Sequence, residues 1–80
     1  MTRTNVLLPK WGMGIDEGAV VRWLKAPGDA VNKGDPIAEV ETAKAVQDLE
    51  APVGGTIVEL LVRPGDIVAV GTSLAVIAEA

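Results

Sequence analysis

The chain has 80 residues, and its eleven acidic and seven basic side chains give a formal net charge of −4. A chain of this length forms one small domain. It contains no cysteine and no histidine, which excludes disulfide cross-links, thiol chemistry and any Ser/His/Asp or Cys/His nucleophile. The same absence excludes a metal site made of histidine and cysteine. We therefore expect that the domain performs no reaction on its own.

The charges are spread along the chain and form no basic stripe, so neither nucleic acid nor an anionic membrane is an expected partner. No apolar run approaches the roughly 20 residues of a membrane span. The N-terminal segment lacks the apolar core of a signal peptide, and Arg3 alone does not make a transit sequence. We expect an intracellular, soluble protein, in the cytoplasm of a bacterium or in the mitochondrial matrix of a eukaryote.

Short apolar runs separated by nine glycines and five prolines predict an all-β domain with tight turns. The first strand is predicted over residues 5–8. A loop over residues 10–17 precedes a strand over residues 18–24, which is rich in Val and Trp. Pro27 and Gly28 then suit the second and third positions of a type II turn, because glycine adopts a positive φ at little cost.

Two further strands flank a short polar segment in the middle of the chain. In the first, over residues 37–42, apolar and acidic positions alternate with the period of a half-buried strand. Its inward-facing residues are predicted to be Ala38, Val40 and Thr42. The second strand, over residues 46–51, alternates less clearly. Its inward-facing residues are predicted to be Gln47, Leu49 and Ala51.

An internal repeat with an offset of 37 residues is the strongest feature of the sequence, and it aligns residues 18–40 with residues 55–77. The identical pairs are Gly18/Gly55, Val21/Val58, Leu24/Leu61, Pro27/Pro64, Gly28/Gly65, Asp29/Asp66, Val31/Val68, Gly34/Gly71 and Ala38/Ala75. Neither copy can bury its apolar face alone, so the two must pack on each other. This predicts a small β-sandwich or flattened barrel with a pseudo-twofold axis. Asp29 and Asp66 are predicted to accept hydrogen bonds within their turns.

Lys44 lies in the connection between the two copies, at a predicted hairpin tip. The corresponding position after the second copy is the C-terminus, so we expect Lys44 and the chain termini at opposite ends of the domain. A lysine near a hairpin tip usually serves solubility. An amide bond from its amine to the carboxyl group of a cofactor would instead create a long flexible arm, and the cofactor would supply the chemistry.

From residue 8 to residue 77 the chain resembles a lipoyl domain of the dihydrolipoamide acyltransferases of 2-oxoacid dehydrogenase complexes. The matching elements are Leu8-Pro9-Lys10, Glu17-Gly18, Gly28-Asp29, Val31, Gly34, Val40-Glu41-Thr42, Lys44-Ala45, Ala51-Pro52, Gly55, Gly65-Asp66 and Gly71. The resemblance implies one carrier domain over residues 1–80, folded as a flattened barrel of two four-stranded antiparallel sheets. It also implies a lipoylated lysine, here Lys44, at a type I turn between two strands.

The resemblance further implies that lipoic acid, bound to Lys44 by an amide, is a swinging arm for acyl groups and reducing equivalents. The implied partners are a thiamine-diphosphate-dependent 2-oxoacid decarboxylase, an acyltransferase catalytic domain, dihydrolipoamide dehydrogenase, and a lipoate ligase or lipoyl transferase. The isolated domain is expected to be monomeric and not catalytic. The residues expected to be recognised around the lysine are Glu41, Thr42, Ala43 and Ala45. The loop expected to contact the decarboxylase comprises Trp11, Gly12, Met13, Gly14 and Ile15, and it resembles the pyruvate and acetoin types more than the 2-oxoglutarate type.

Two interpretations remain open for this loop, since Trp11 and Met13 could equally pack over the barrel end. The usual motif of the family is Asp-Lys-Ala, whereas Ala43 precedes Lys44 here, and the lost charge could weaken recognition by the lipoylating enzyme. Two other functions fit the same fold. One is a biotin carrier, although its lysine normally lies between two methionines. The other is an unmodified barrel that acts as an interaction module.

Overall fold

A computed structural model describes residues 2–79, which form eight β-strands. The strands are β1 Thr2–Leu7, β2 Glu17–Trp23, β3 Ala30–Val31, β4 Pro36–Glu41, β5 Val46–Glu50, β6 Gly55–Leu60, β7 Ile67–Ala69 and β8 Ser73–Glu79. The predicted strands over residues 5–8, 18–24, 37–42 and 46–51 correspond to β1, β2, β4 and β5, and the repeat predicts β6 and β8 as the copies of β2 and β4. The two- and three-residue strands β3 and β7 were not predicted. Among the described residues there is no helix long and apolar enough to cross a membrane.

The strands form two four-stranded sheets with the orders β1-β8-β6-β3 and β5-β4-β2-β7. All neighbouring strands are antiparallel. The 37-residue offset exchanges β2 with β6, β3 with β7 and β4 with β8. When β1 is also exchanged with β5, one sheet order becomes the other. The predicted all-β sandwich with pseudo-twofold symmetry is therefore confirmed.

Four strand pairs contain register shifts, and the same 37-residue offset relates the positions of these shifts. Those on β2 and β6 lie at Val21 and Val58, and those on β4 and β8 lie at Ile37 and Leu74. A β-bulge adds one residue to one strand and so interrupts the alternation of faces. Two consecutive residues can then face the core, and the pairs that do so are Ile37-Ala38 and Leu74-Ala75.

The two Pro-Gly-Asp turns have the predicted type II features. Gly28 and Gly65 have φ angles of 96° and 94°. The backbone N–H groups of Asp29 and Asp66 donate to the carbonyls three residues earlier, at 3.0 and 3.1 Å. Their carboxylates accept from the backbone N–H groups of those same earlier residues, at 2.8 and 3.1 Å. The predicted role of both aspartates in their turns is therefore confirmed.

The core lies between the sheets and is built from aliphatic side chains of both repeat copies. Its buried residues are Val6, Leu8, Val20, Val31, Ile37, Ala38, Val40, Leu49, Ala51, Ile57, Leu74, Ala75 and Ile77. Trp11 and Trp23 pack against this cluster at its margin. The indole N–H of Trp23 donates to the carbonyl of Val62 at 3.1 Å, which satisfies its polar group while the ring covers the core.

The prediction that Gln47 faces the core is wrong, because its side chain is exposed. Leu49 and Ala51 are buried as predicted. Gln47 lies instead on the wall of a groove that runs between the edge strands β1 and β5. This groove leaves the first part of β5, including Gln47, open to solvent.

The strand register places Lys44 and the two ends of the described chain at opposite ends of the sandwich. Glu41, the residue that ends β4, lies opposite Ala19 near the start of β2. Thr2 and Glu79 are paired with each other. The last part of β8 lies beside the start of β6, which pairs with β3. β3 follows the turn at the end of β2 that is far from the lysine hairpin. Thr2 and Glu79 therefore lie at the end of the sandwich opposite to Lys44, which confirms the predicted separation.

Candidate functional site

Lys44 lies at the tip of the hairpin that joins β4 to β5. Ala43 and Lys44 connect Thr42 with Ala45, and the N–H of Thr42 donates to the carbonyl of Ala45 at 2.9 Å. Neither Ala43 nor Lys44 has a positive φ. This excludes turn types I′, II and II′, which each require a positive φ, and agrees with the type I turn that the family resemblance implies.

The hydroxyl of Thr42 stabilises this turn from the inside. Its Oγ1 donates to the carbonyl of Ala45 at 3.1 Å and accepts from the N–H of Lys44 at 3.4 Å. Thr42 is half-buried, whereas Glu41, Ala43, Lys44 and Ala45 are exposed. The hairpin thus brings the five residues predicted around the attachment site together at one tip, with the lysine side chain on the surface.

The lysine side chain meets the loop that precedes β2. Its Nζ donates to the carbonyl of Met13 at 3.0 Å, although the two residues are 31 positions apart. This loop is closed by a long hydrogen bond from the N–H of Ile15 to the carbonyl of Gly12, at 3.4 Å. Gly14 has a φ of 79°, which favours glycine at this position. The predicted partner loop and the predicted attachment site are therefore neighbours.

The loop residues divide between packing and exposure. Trp11 packs against the core, and Ile15 is buried with 6% of its surface exposed. Met13, in contrast, is 88% exposed. The packing interpretation is confirmed for Trp11 and is wrong for Met13, whose side chain covers none of the barrel end. The contact of this loop with a decarboxylase stays a prediction.

A groove of about 290 Å³ lies beside the lysine turn and was not predicted from the sequence. Its lining residues are Gly14, Ile15, Asp16, Glu17, Gly18, Ala19, Glu41, Thr42, Ala43 and Ile67. Ile67 comes from β7, which pairs with the start of β2. Sequence reasoning overlooked Ile67 because β7 was not recognised as a strand.

Gly18 permits the close approach of the hairpin to β2. A Cβ atom at this position would lie 3.1 Å from Cγ1 of Val40 and 3.2 Å from the carbonyl oxygen of Glu41. Both distances are shorter than ordinary van der Waals contacts. The glycine that the repeat and the family motif both mark thus has a packing role directly under the lysine turn.

The other acidic and basic side chains do not form a second candidate site within the described residues. Within residues 2–79, no group of three or more acidic side chains is arranged to hold a metal ion. Lys10 and Lys33 are exposed in the same way as Lys44, so exposure alone does not distinguish the site. Its distinguishing features are the two-residue hairpin tip, the contact with Met13 and the adjacent groove.

Comparison with known proteins agrees with this geometry. The family model for biotin and lipoyl attachment, described as a biotin-requiring enzyme, matches residues 4–77. The chain belongs to this family. A solved structure of the lipoyl domain of the 2-oxoglutarate dehydrogenase complex from Azotobacter vinelandii superimposes with a TM-score of 0.75 and 33% identity. The match covers 94% of this chain and 95% of that domain. The chain is therefore a lipoyl-type carrier domain, which is not catalytic by itself.

Longer relatives contain a similar segment. An acetyltransferase component of the acetoin cleaving system of Pseudomonas putida is 43% identical over 94% of this chain. The corresponding component of the pyruvate dehydrogenase complex of Corynebacterium glutamicum is also 43% identical, over 96% of the chain. The chain spans only 20% and 11% of the lengths of these two relatives.

Proposed function

We propose that Lys44 carries lipoic acid in amide linkage, and that the domain moves acyl groups and electrons between the enzymes of an acetoin or pyruvate dehydrogenase complex. The observation that carries this proposal is the presentation of Lys44 on a two-residue hairpin tip, at the end of the sandwich away from Thr2 and Glu79. A domain held by its termini would extend this amine toward partner enzymes.

The residues around Lys44 fit an amide-linked arm. Amide formation joins the lysine Nζ to the carboxyl carbon of lipoic acid and releases water. The product keeps one N–H, which can still donate to the Met13 carbonyl that Nζ contacts at 3.0 Å. The Thr42 hydrogen bonds hold the turn backbone and do not involve Nζ. Modification therefore requires no rearrangement of the hairpin.

The dithiolane ring of the bound group supplies the chemistry, because its disulfide can accept two electrons and an acyl group. The domain supplies position. Its two sheets hold the hairpin tip on a packed core. The flexible aliphatic part of the lysine side chain lets the attached group extend away from the domain. Thr42 and the carbonyl of Met13 orient the point of attachment.

The partners we propose follow from the same assignment. They are a thiamine-diphosphate-dependent decarboxylase that loads the arm, an acyltransferase catalytic domain that unloads it, dihydrolipoamide dehydrogenase that reoxidises it, and a lipoate ligase or lipoyl transferase that installs it. The relatives from P. putida and C. glutamicum, both described as dihydrolipoyllysine-residue acetyltransferase components, support this choice. The exposed loop around Met13 lies beside the arm and is our candidate contact for the decarboxylase.

Biotin is the second candidate for the attached group, because the description of the family model names biotin-requiring enzymes. The neighbours of Lys44 favour lipoic acid. Lys44 is flanked by Ala43 and Ala45, whereas the attached lysine of a biotin carrier normally lies between two methionines.

Intact mass tests the proposal. The chain and its Lys44→Arg variant are each co-expressed with a lipoate ligase and lipoate, and in parallel with a biotin ligase and biotin. We expect a lipoyl mass increment on the parent chain that the variant lacks, and no biotinyl increment on either. An unmodified parent chain, or a biotinyl increment in place of the lipoyl one, would overturn the proposal.

A further inference from the structure

We infer that the groove beside the lysine turn is a docking site for the uncharged end of the arm on Lys44. It comprises residues 14–19, 41–43 and Ile67. This inference rests on the proposed function, since the lipoyl group on Lys44 is the occupant. The arm would then alternate between a position folded back on its own domain and an extended position.

The contact of Lys44 with the loop places the arm at the mouth of the groove. Nζ lies 3.0 Å from the carbonyl oxygen of Met13, and the next residue along the chain, Gly14, already lines the groove. Thr42 and Ala43, from the same turn as the lysine, form another part of the wall. A chain attached to Nζ therefore begins beside the wall of the groove.

The groove is small, and seven of its ten lining residues carry no charge. Ile15 is buried, whereas Ile67 is 67% exposed, so that its side chain offers aliphatic surface to the groove. Ala19 and Ala43 add small apolar surfaces. The volume of about 290 Å³ is at the lower limit of small-molecule sites, roughly 300 Å³. A five-membered dithiolane ring suits such a space better than a larger ligand does.

Three carboxylates make the site selective for uncharged groups. Asp16, Glu17 and Glu41 are exposed around the groove, and no lysine or arginine is among its lining residues. An anion in the groove would be repelled by all three charges. The dithiolane ring of an amide-linked arm carries no charge, whereas free lipoate carries a carboxylate. The groove should therefore accept the attached arm and discriminate against the free acid.

A weak site is sufficient for an attached group. A flexible tether of this length gives an effective concentration on the order of millimolar. Docking with a dissociation constant near that value would leave both the folded and the extended arm populated. Such a balance shields the ring for part of the time and still leaves the arm available to partner enzymes.

Nuclear magnetic resonance of the domain tests the site with two neutral-pH probes that differ in charge, free lipoamide and free lipoate. Titration into a Lys44→Gln variant, which like the amide linkage removes the ammonium charge beside the groove, should shift the methyl signals of Ile15 and Ile67 and the amide signal of Gly18. We expect lipoate to bind about threefold more weakly than lipoamide or worse, because of the three carboxylates. The lipoylated domain should show the same shifts without added ligand, and nuclear Overhauser contacts between the ring and Ile67.

A matched pair of variants separates the groove from the rest of the surface. Ile67→Ser removes the aliphatic wall and should abolish the shifts. Val46→Ser changes another exposed aliphatic residue, on the opposite edge strand of the same sheet and outside the groove lining, and should leave them intact. Equal loss in both variants would contradict the assignment.

The outcomes distinguish this inference from the proposed function. If mass spectrometry shows lipoyl on Lys44 but the spectrum changes only within the turn, the docking site is wrong and the carrier function stands. If lipoate and lipoamide bind equally, the selectivity by charge is wrong. If Lys44 is never modified, the proposed function fails, and the free-ligand titration still decides whether the groove accepts the ring.

Discussion

The backbone N–H of Gly28 donates a 2.8 Å hydrogen bond to the carbonyl of Ile57, which joins the first Pro-Gly-Asp turn to the second copy of the repeat. The symmetry-related pair, Gly65 and Val20, forms the same bond at 2.9 Å in the opposite direction. Each turn thus bonds to a strand of the other copy. The two copies are interlocked by these turns as well as by their shared core, and we expect neither half to fold alone.

Both turn glycines should be sensitive to a side chain because of backbone strain. At Gly28 and Gly65 a Cβ atom would meet nothing within 4 Å, but φ is 96° and 94°. We expect Gly28→Val and Gly65→Val each to lower the free energy of unfolding by about 1–3 kcal/mol. Gly28→Asn should lower the free energy of unfolding by less than Gly28→Val does, because asparagine tolerates positive φ better than a β-branched residue. Urea unfolding measures these differences, and unchanged midpoints in the valine variants would refute the strain argument.

A clash, rather than strain, should make Gly55 intolerant of even a methyl group. A Cβ atom there would lie 2.2 Å from the carbonyl oxygen of Ala78 and 2.9 Å from Cγ2 of Ile77. We expect Gly55→Ala to destabilise the domain by about 1–3 kcal/mol, the range for overpacking. Gly54→Ala is the control, because its nearest neighbour would be 3.5 Å away. Similar urea midpoints for the two variants would show that β6 can move away from β8 without cost.

The two turn aspartates should contribute equally to the free energy of unfolding, because they occupy equivalent positions in the two copies of the repeat. Asp29 and Asp66 each accept one backbone hydrogen bond, at 2.8 and 3.1 Å. Removing either acceptor with alanine should cost about 0.5–1.5 kcal/mol in the free energy of unfolding. Asp29→Asn keeps an acceptor oxygen and should lose less than Asp29→Ala. A large effect at only one of the two positions would mean that the copies are not energetically equivalent.

The repeat predicted more of the fold than the strand patterns did. Identical turns at a fixed offset required two packed copies, and the observed sheets exchange under that offset. The burial of Ile37 beside Ala38 could not be read from alternation, because a bulge breaks the period at Ile37. The strands β3 and β7 escaped prediction since two or three residues show no periodicity. Gln47 was misplaced because the groove between β1 and β5, which exposes it, is formed by two strands far apart in the sequence.

The candidate site was predicted in part. Lys44, its neighbours and the loop around Met13 were identified from the sequence. Their contact across 31 positions was not, because it depends on the packing of the hairpin over Gly18. The groove was also missed, since Ile67 joins it only through the pairing of β7 with β2.

Thr42 should affect the modification of Lys44 more than the stability of the domain. Thr42→Val keeps the shape of the side chain but removes the hydrogen bonds to Ala45 and from Lys44. A looser turn should slow lipoylation by several-fold, while the free energy of unfolding falls by about 1 kcal/mol or less. Thr56→Val is the control on an exposed strand position. Initial rates with a purified lipoate ligase and urea unfolding measure both effects, and equal rates for the two variants would contradict a positioning role for Thr42.

We propose that position in the fold, rather than exposure, makes Lys44 the attachment site. The chain offers four lysines, Lys10, Lys25, Lys33 and Lys44, and Lys10 and Lys33 are exposed to solvent like Lys44. The most direct test is to react the folded domain with a lipoate ligase, lipoate and ATP until its mass stops changing, and then to locate the modification by tandem mass spectrometry of peptides. We predict one lipoyl group per chain, carried entirely on Lys44. An unmodified chain, or lipoyl groups distributed over Lys10, Lys25 or Lys33, would contradict the account.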